Sequence, residues 1–345
     1  VHFRRPLRAG VAALTAVAAA VTLTACSSDG SEDSTAAASG ETITVEHALG
    51  TAEIQGTPER VATVGWSNQE VPLALGVVPV GMPKADFGDD DGDGLLPWVS
   101  DKLQELGGET PELFDETDSI PFEKVAETDP DVILGASSGI SQEDYDQLSA
   151  IAPTVAYPGK PWMTSLDEMI RSDAKAIGKE DEGEQLIEDL HKLVSDEMAK
   201  RPELKGKKVL FTSFGGESDS SKVGFYNLND PRGGFLKDAG FGVPEIVEKE
   251  SQDPEMFWSE VSAENPEVFD DVDAFVSYGS DDPAENEAQL KKMQADPLLG
   301  RIPAIREGHV TFLGNGPVAA AANPSPLGLS WGLGKYLDHI DEALK

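Results

Sequence analysis

Phe122-Glu123-Lys124-Val125-Ala126-Glu127-Thr128-Asp129-Pro130-Asp131-Val132-Ile133-Leu134 is the stretch on which the fold turns. Phe122 to Ala126 reads as a helix. Asp131 then leads into Val132-Ile133-Leu134, an unbroken apolar run of the kind shown by a strand buried on both faces. A second helical face, Tyr145, Leu148 and Ile151, precedes another short run, Thr154-Val155-Ala156. Helix, strand, helix, strand at this spacing marks parallel α/β units.

The same alternation extends upstream. Ile43 to Glu46 and Ala52 to Ile54 flank Leu49-Gly50 as an opening hairpin. Val61 to Val64 is a short strand ending at Gly65; Glu70, Leu73 and Leu75 fit a helix, and Val77 to Val80 is a second strand. Downstream the pattern changes. Leu166, Met169, Ile170, Asp173 and Ile177 mark one helix face, and Leu186, Ile187, Leu190, Leu193, Val194 and Met198 mark another, interrupted by the charged stretch Gly178 to Gly183. A second α/β series follows: strand Val209-Leu210-Phe211, helix Phe235 to Ala239, strand Ala274-Phe275-Val276, helix Glu285 to Gln294 and strand Val310-Thr311-Phe312. The closing helix bears Leu327, Leu333, Tyr336, Leu337 and Ile340. The expected architecture is α/β, with lobes over 42–164 and 201–345 joined by a helical region over 165–200. Such a connector predicts a modest hinge motion.

The N-terminus reads differently. Arg4, Arg5 and Arg8 precede an uncharged Ala/Val/Leu-rich run from Ala9 to Val21 that ends in Leu23-Thr24-Ala25-Cys26, the order of an export signal over 1–25. Leu-Thr-Ala-Cys resembles the lipobox of bacterial lipoproteins, which implies that Cys26 is lipidated and becomes the new N-terminus. Cys26 is the single cysteine of the chain, so no internal disulfide is available. The stretch 26–41 is Ser/Ala/Asp/Gly-rich and reads as a flexible tether. The signal holds three Arg and no acid, so its removal takes the formal charge from −36 to −39. That acidity excludes a nucleic-acid partner, which needs a basic face. It suits an exported body kept in solution by self-repulsion. A monomer is expected, anchored at the extracytoplasmic face of the cell membrane.

Several segments together resemble the iron-siderophore substrate-binding lipoproteins of bacterial ABC importers, actinobacterial members most of all. They are Thr57-Pro58-Glu59-Arg60-Val61 leading to Ala74 to Gly81; Glu123 to Ala126 leading to Asp129 to Leu134; Ile151-Ala152-Pro153-Thr154-Val155; Arg232 to Phe241; Pro303 to Val310; and Ser330-Trp331-Gly332-Leu333. The resemblance runs from about Thr42 to the C-terminus. It implies two Rossmann-like lobes joined by a rigid connecting helix, with a ferric siderophore in the cleft between them. Iron would arrive already chelated, so the protein supplies no iron ligand, and the lipid on Cys26 is its one covalent group. The partners implied are the permease and ATPase of an ABC importer. The family docks each lobe on the permease through one exposed glutamate. Glu123 matches the first position and Glu260 the second, with Glu264 an alternative because the spacing to Asn265-Pro266 differs by one.

Lobes of this kind bind ligands just beyond the ends of their strands. Candidate cleft residues are therefore Trp66 and Asn68, Trp98 beside Pro97 in a Gly/Asp-rich loop, Trp162 before the connector, Tyr226 and Arg232 in the second lobe, and Asn323 before the last helix. Large aromatics and an arginine suit a bulky chelate with apolar arms and an oxygen-rich centre. Several arginines would favour an anionic catecholate; aromatics with few charges favour a neutral or cationic hydroxamate.

Other chemistry finds less support. Asp89, Asp91 and Asp93 with Gly94 imitate a calcium loop, but Ser100 stands where the bidentate Glu belongs, and Pro97 is read as breaking any helix that follows. A solvated acidic loop is the default reading. His2, His47, His191, His309 and His339 are scattered, which argues against a receptor for a bare metal ion. His309 or a tyrosine remains available to a haem, so a haem or cobalamin-type receptor is the alternative within this fold. An envelope lipoprotein enzyme is the alternative of another class. No phosphate-binding Gly-x-x-x-x-Gly-Lys motif is present, and the expected answer is no enzyme.

Overall fold

The short apolar runs assemble into two five-stranded sheets. The computed structural model describes residues 42–214 and 221–345. The signal, the tether and Cys26 lie outside the described residues.

A hairpin, β1 (Thr42–His47) and β2 (Gly50–Gln55), precedes the first sheet. That sheet is laid down as β3 (Val61–Thr63), α1 (Glu70–Ala74), β4 (Gly81–Pro83), α2 (Pro97–Leu106), β5 (Glu112–Phe114), α3 (Phe122–Glu127), β6 (Val132–Leu134), α4 (Gln142–Ser149) and β7 (Thr154–Val155). Its order is β5-β4-β3-β6-β7, with every pair parallel. Winding therefore reverses between β3 and β6, and the crevice of such a sheet opens at that point, beyond the strand ends.

Two helices follow, α5 (Leu166–Ala176) and α6 (Glu180–Ala199). Ser165 starts α5 with a capping box: its hydroxyl accepts from the Glu168 N–H while the Glu168 carboxylate accepts from the Ser165 N–H. Gly183 lets the helices pack closely, since a Cβ there would lie 2.5 Å from Ala174 Cβ.

The second sheet comprises β8 (Val209–Thr212), β9 (Lys222–Tyr226), α7 (Pro231–Asp238), α8 (Glu245–Glu250), β10 (Trp258–Ser262), β11 (Ala274–Ser277), α9 (Pro283–Ala295), α10 (Pro303–Glu307) and β12 (Val310–Phe312). Its order is β10-β9-β8-β11-β12; β8, β11 and β12 are parallel, and β9 runs antiparallel to both neighbours. The chain closes with α11 (Pro317–Ala321) and α12 (Pro326–Ala343).

Three expectations are corrected. Val77 to Val80 is a connection, and the strand begins at Gly81, where a Cβ would meet the Phe114 ring at 2.2 Å. The antiparallel strands β9 and β10 carry no continuous β-branched run and went unread. Pro97 does not break a helix but opens α2 at its first turn, where proline's missing N–H has no partner to lose.

One hydrophobic core runs under both sheets. It joins Val61, Val132 and Leu134 of the first, Met169, Ile170, Ile187 and Leu190 of the connector, and Phe211 and Val276 of the second to Leu333, Tyr336 and Leu337 of α12. Among the described residues no helix is long and apolar enough to cross a membrane.

Candidate functional site

The strand ends of the two sheets meet in a run of aromatic rings. Trp66, just beyond β3, lies 6.3 Å from Phe87 (centroid to centroid), and Phe87 lies 5.7 Å from Tyr278. Tyr278 follows β11 directly and stands 5.3 Å from Phe211, which is 5.6 Å from Tyr226; Tyr226 in turn packs edge-on at 4.8 Å against Trp258. The series crosses from the first lobe to the second between Phe87 and Tyr278.

The Trp66 end is held by its backbone. Gly65 (φ 77°) and Ser67 (φ 61°) are both left-handed and turn the chain sharply around the tryptophan. A Cβ at Gly65 would lie 2.7 Å from the Ser137 carbonyl oxygen, so only glycine fits. Asn68 closes the turn: its Nδ2 donates to the Val64 and Ser137 carbonyls at 2.6 and 3.0 Å, and its Oδ1 accepts from the Ser137 N–H at 2.9 Å. Asn68 is fully buried and ties β3 to β6 across the switch point, so its role is to position Trp66 rather than to face a ligand. Glu116, after β5, accepts from the Gly65 N–H at 3.0 Å. Burial, aided by nearby Asp86, pushes its carboxyl up to about 7. The Trp66 Nε1–H has no protein acceptor.

At the other end the Arg232 guanidinium lies 3.6 Å over the centroid of the Tyr226 ring. Its Nε and one terminal nitrogen each donate to Asp230 at 2.7 Å, and the other donates to the Tyr278 hydroxyl at 3.0 Å. Asp230 is buried and also caps α7 through the Arg232 N–H. Burial works against the Arg232 charge, but Asp230 and the two phenols outweigh it and hold the guanidinium protonated. Burial likewise pushes the Tyr226 phenol up to about 12 and raises that of Tyr278. The result is a polarised aromatic wall whose single buried cation is already balanced by a buried carboxylate.

The remaining candidates fall elsewhere. Trp98 is a correction: it lies in α2, is 4% exposed, and donates its indole N–H to Glu70 at 2.7 Å, which makes it a core residue. Trp162 stands at the rim, 45% exposed, with φ 63°. Asn323 lies in the turn between α11 and α12, its N–H donating to the Ala320 carbonyl. Glu123 is exposed in the first turn of α3. Glu260 is exposed on β10 and pairs with Lys222 at 2.8 Å; Glu264, exposed beyond the strand, is the freer of the two in position. Phe87, Tyr278, Phe211, Trp258 and Glu116 were missed. Tyr278 was legible by the rule that found Trp66, an aromatic directly after a buried strand.

His309 precedes β12 and so lies at the opposite end of the sheet from Tyr278. In the acidic loop the Asp89 carboxylate turns on its own chain, accepting from the N–H groups of Asp91, Gly92 and Gly94 at 2.8 to 3.1 Å. A cavity of about 1010 Å³ opens between α5, α6 and α7, walled by Leu166, Val194, Met198 and Phe235. None of Trp66, Tyr226, Arg232 and Tyr278 borders it, and its His191 is paired with Asp167 at 3.0 Å. The ring series, at the switch point of both sheets, is the better site.

Two sheets of this topology are those of a periplasmic binding protein, and the chain belongs to that family: its model matches residues 61–316. Among individual relatives, the chain is 31% identical over 296 residues to the "Probable siderophore-binding lipoprotein YfiY" of Bacillus subtilis (strain 168), covering 84% of this chain and 86% of that protein. The structure of PiaA from Streptococcus pneumoniae TIGR4 in complex with ferrichrome superposes with a TM-score of 0.81 at 43% identity, over 88% of this chain and 98% of that one. A periplasmic solute binding protein from Mycobacterium smegmatis str. MC2 155 is similar at 25% identity and a TM-score of 0.71, over 88% and 99% of the two chains.

Proposed function

We propose that this protein is a lipid-anchored extracytoplasmic receptor that holds a ferric siderophore of the hydroxamate class between its lobes and hands it to an ABC importer. The observation that carries the chelator class is the Arg232–Asp230 pair. The one buried cation of the ring series is neutralised in place, and Glu116, which holds the Trp66 turn, is an acid. A strongly anionic catecholate would find no unmatched positive charge there, whereas a neutral chelate loses little on desolvation. Of the five guanidinium N–H groups, three are engaged, leaving donors for hydroxamate oxygens. The likeness to the ferrichrome complex of PiaA supports the same class. The raised phenols of Tyr226 and Tyr278 favour neutral side chains, which suits iron that arrives fully chelated and disfavours a haem ligated by tyrosinate.

In this reading Cys26 carries the lipid, 26–41 is the tether, and the lobes meet the permease through Glu123 and through Glu260 or Glu264. The protein binds and releases its cargo without turning it over. Tryptophan fluorescence of residues 27–345, titrated with ferrichrome, its iron-free form, a ferric catecholate, haem and cobalamin, tests it. Saturable quenching by ferrichrome and not by the iron-free form is expected. Saturation by haem, a corrinoid or the catecholate alone would keep the fold and overturn the cargo; silence across the panel would overturn the receptor reading.

A further inference from the structure

Asp173 stands on the inward face of α5, among Met169, Ile170 and Ala174, and is fully buried. Neither of its carboxyl oxygens has a partner at full hydrogen-bonding geometry among the described residues. Burial pushes the carboxyl well above the usual carboxylate range, so it sits there as a neutral acid. A buried polar group so poorly satisfied costs free energy that alanine in the same place would not. Stability alone does not account for it.

The group that the carboxyl faces belongs to Ala136, just beyond β6. The Ala136 N–H is directed at Asp173 and has no other acceptor among the described residues. The carbonyl of the same residue accepts from the hydroxyl of Thr164 at 2.6 Å, one position before the Ser165 cap of α5. Ala136 is itself fully buried, so its two polar groups are answered only from the start and the inner face of the connector. The two residues that follow it hold the wall. The Ser137 carbonyl accepts from the Trp66 N–H and from Asn68 Nδ2, each at 3.0 Å, and the Ser137 N–H donates to Asn68 Oδ1 at 2.9 Å. The Ser138 carbonyl accepts from the Trp162 N–H at 2.9 Å. A displacement of Ala136 therefore carries the backbones of both tryptophans with it.

We propose that Asp173 is a positioning residue of the ligand wall, fixing from the connector the turn over 135–139 and, through it, Trp66 and Trp162. The assignment rests on the siderophore reading above and adds to it the path by which the connector is coupled to the wall. Asp173 touches no ligand. It acts by holding Ala136, and any rotation of α5 reaches the tryptophans through that residue.

Two measurements on the intact chain in detergent test it: fluorine resonances of 5-fluorotryptophan in the unliganded protein, and calorimetric titration with ferrichrome. Asp173→Ala removes the carboxyl at no cost to the helix; Asp173→Asn keeps a neutral polar group of the same shape. The alanine variant is expected to shift the resonances of Trp66 and Trp162, to leave those of Trp98, Trp258 and Trp331 in place, and to weaken ferrichrome about tenfold. The asparagine variant is expected to keep the parent spectrum and an affinity within about twofold. Thr164→Val removes the other hold on Ala136 and is expected to shift the same two resonances, which decides the matter should Asp173→Ala fail to fold. Unmoved resonances with unchanged affinity in Asp173→Ala would overturn the assignment. So would movement of all five resonances, an asparagine variant as impaired as the alanine one, or a Thr164→Val spectrum identical to the parent's. Failure of the parent chain to bind ferrichrome would instead remove the siderophore reading, while the resonances, read without ligand, would still show whether Asp173 places the two tryptophans.

Discussion

The carboxylate of Glu70, on α1, accepts a 2.7 Å hydrogen bond from the indole Nε1–H of Trp98, on α2, and both side chains are closed off from solvent. The other oxygen of Glu70 accepts from the N–H groups of Leu327 and Gly328 at 2.8 and 3.1 Å, in the first turn of α12. A residue of the first lobe thus caps the helix that packs beneath the second. Burial pushes the Glu70 carboxyl up, and its N–H and hydroxyl donors pull it back. In Glu70→Gln an amide NH2 must face one set of donors. Chemical denaturation should show a loss of about 2–3 kcal/mol with an unchanged slope; a loss under about 0.5 kcal/mol would mean that the cap is dispensable.

Glu116 makes the Trp66 turn sensitive to pH. Its carboxyl, raised by burial to about 7 from an ordinary 4.5, binds a proton more tightly in the folded than in the unfolded state. Stability from this group is therefore fully present below about pH 4.5 and is lost as pH rises towards 7, by up to about 3 kcal/mol. Melting midpoints of the parent and of Glu116→Gln, compared from pH 4.5 to 8, should diverge as pH rises, the variant becoming relatively more stable. Parallel curves would show that the Glu116 carboxyl titrates normally.

Gly65→Ala should damage binding through geometry alone. The added Cβ would meet the Ser137 carbonyl and the Ser138 side chain at 2.7 and 2.8 Å, at a φ that alanine resists. The expected cost is about 2 kcal/mol of stability and at least tenfold in ferrichrome affinity as Trp66 is displaced. Retention of both would mean that the turn adjusts freely.

For Glu123→Ala the expected separation is of another kind. The side chain is exposed and has no contact with any ring of the series, so ferrichrome affinity should stay within twofold while uptake of labelled iron by cells falls severalfold. Weakened affinity with normal uptake of the bound fraction would remove Glu123 from the permease contact.

How much of this was legible varies with the kind of signal. Val132-Ile133-Leu134 and Val209-Leu210-Phe211 announce buried parallel strands, because a strand covered on both faces must be apolar throughout. The strand β9 does not, since Gly224 interrupts it to leave room for the Trp258 ring, which a Cβ would approach to 2.2 Å. Trp66 and Arg232 stood out by residue type and position. Trp98 stood out in the same way and belongs to the core, because its partner Glu70 is 28 residues away and only the folded chain brings them together. The Asn227 and Asn229 amides that hold the Met256 carbonyl lie 29 and 27 residues upstream, a relation that no local pattern records.

The bond from Glu70 to Leu327 spans 257 residues. A ribosome delivers Glu70 long before it delivers the helix start that Glu70 caps, so in a nascent first lobe Trp98 can meet one oxygen of this acid while the partners of the other are still to come. Maturation of this chain is in that sense decided from its C-terminal end, and truncations there should leave the earlier half without a finished interior.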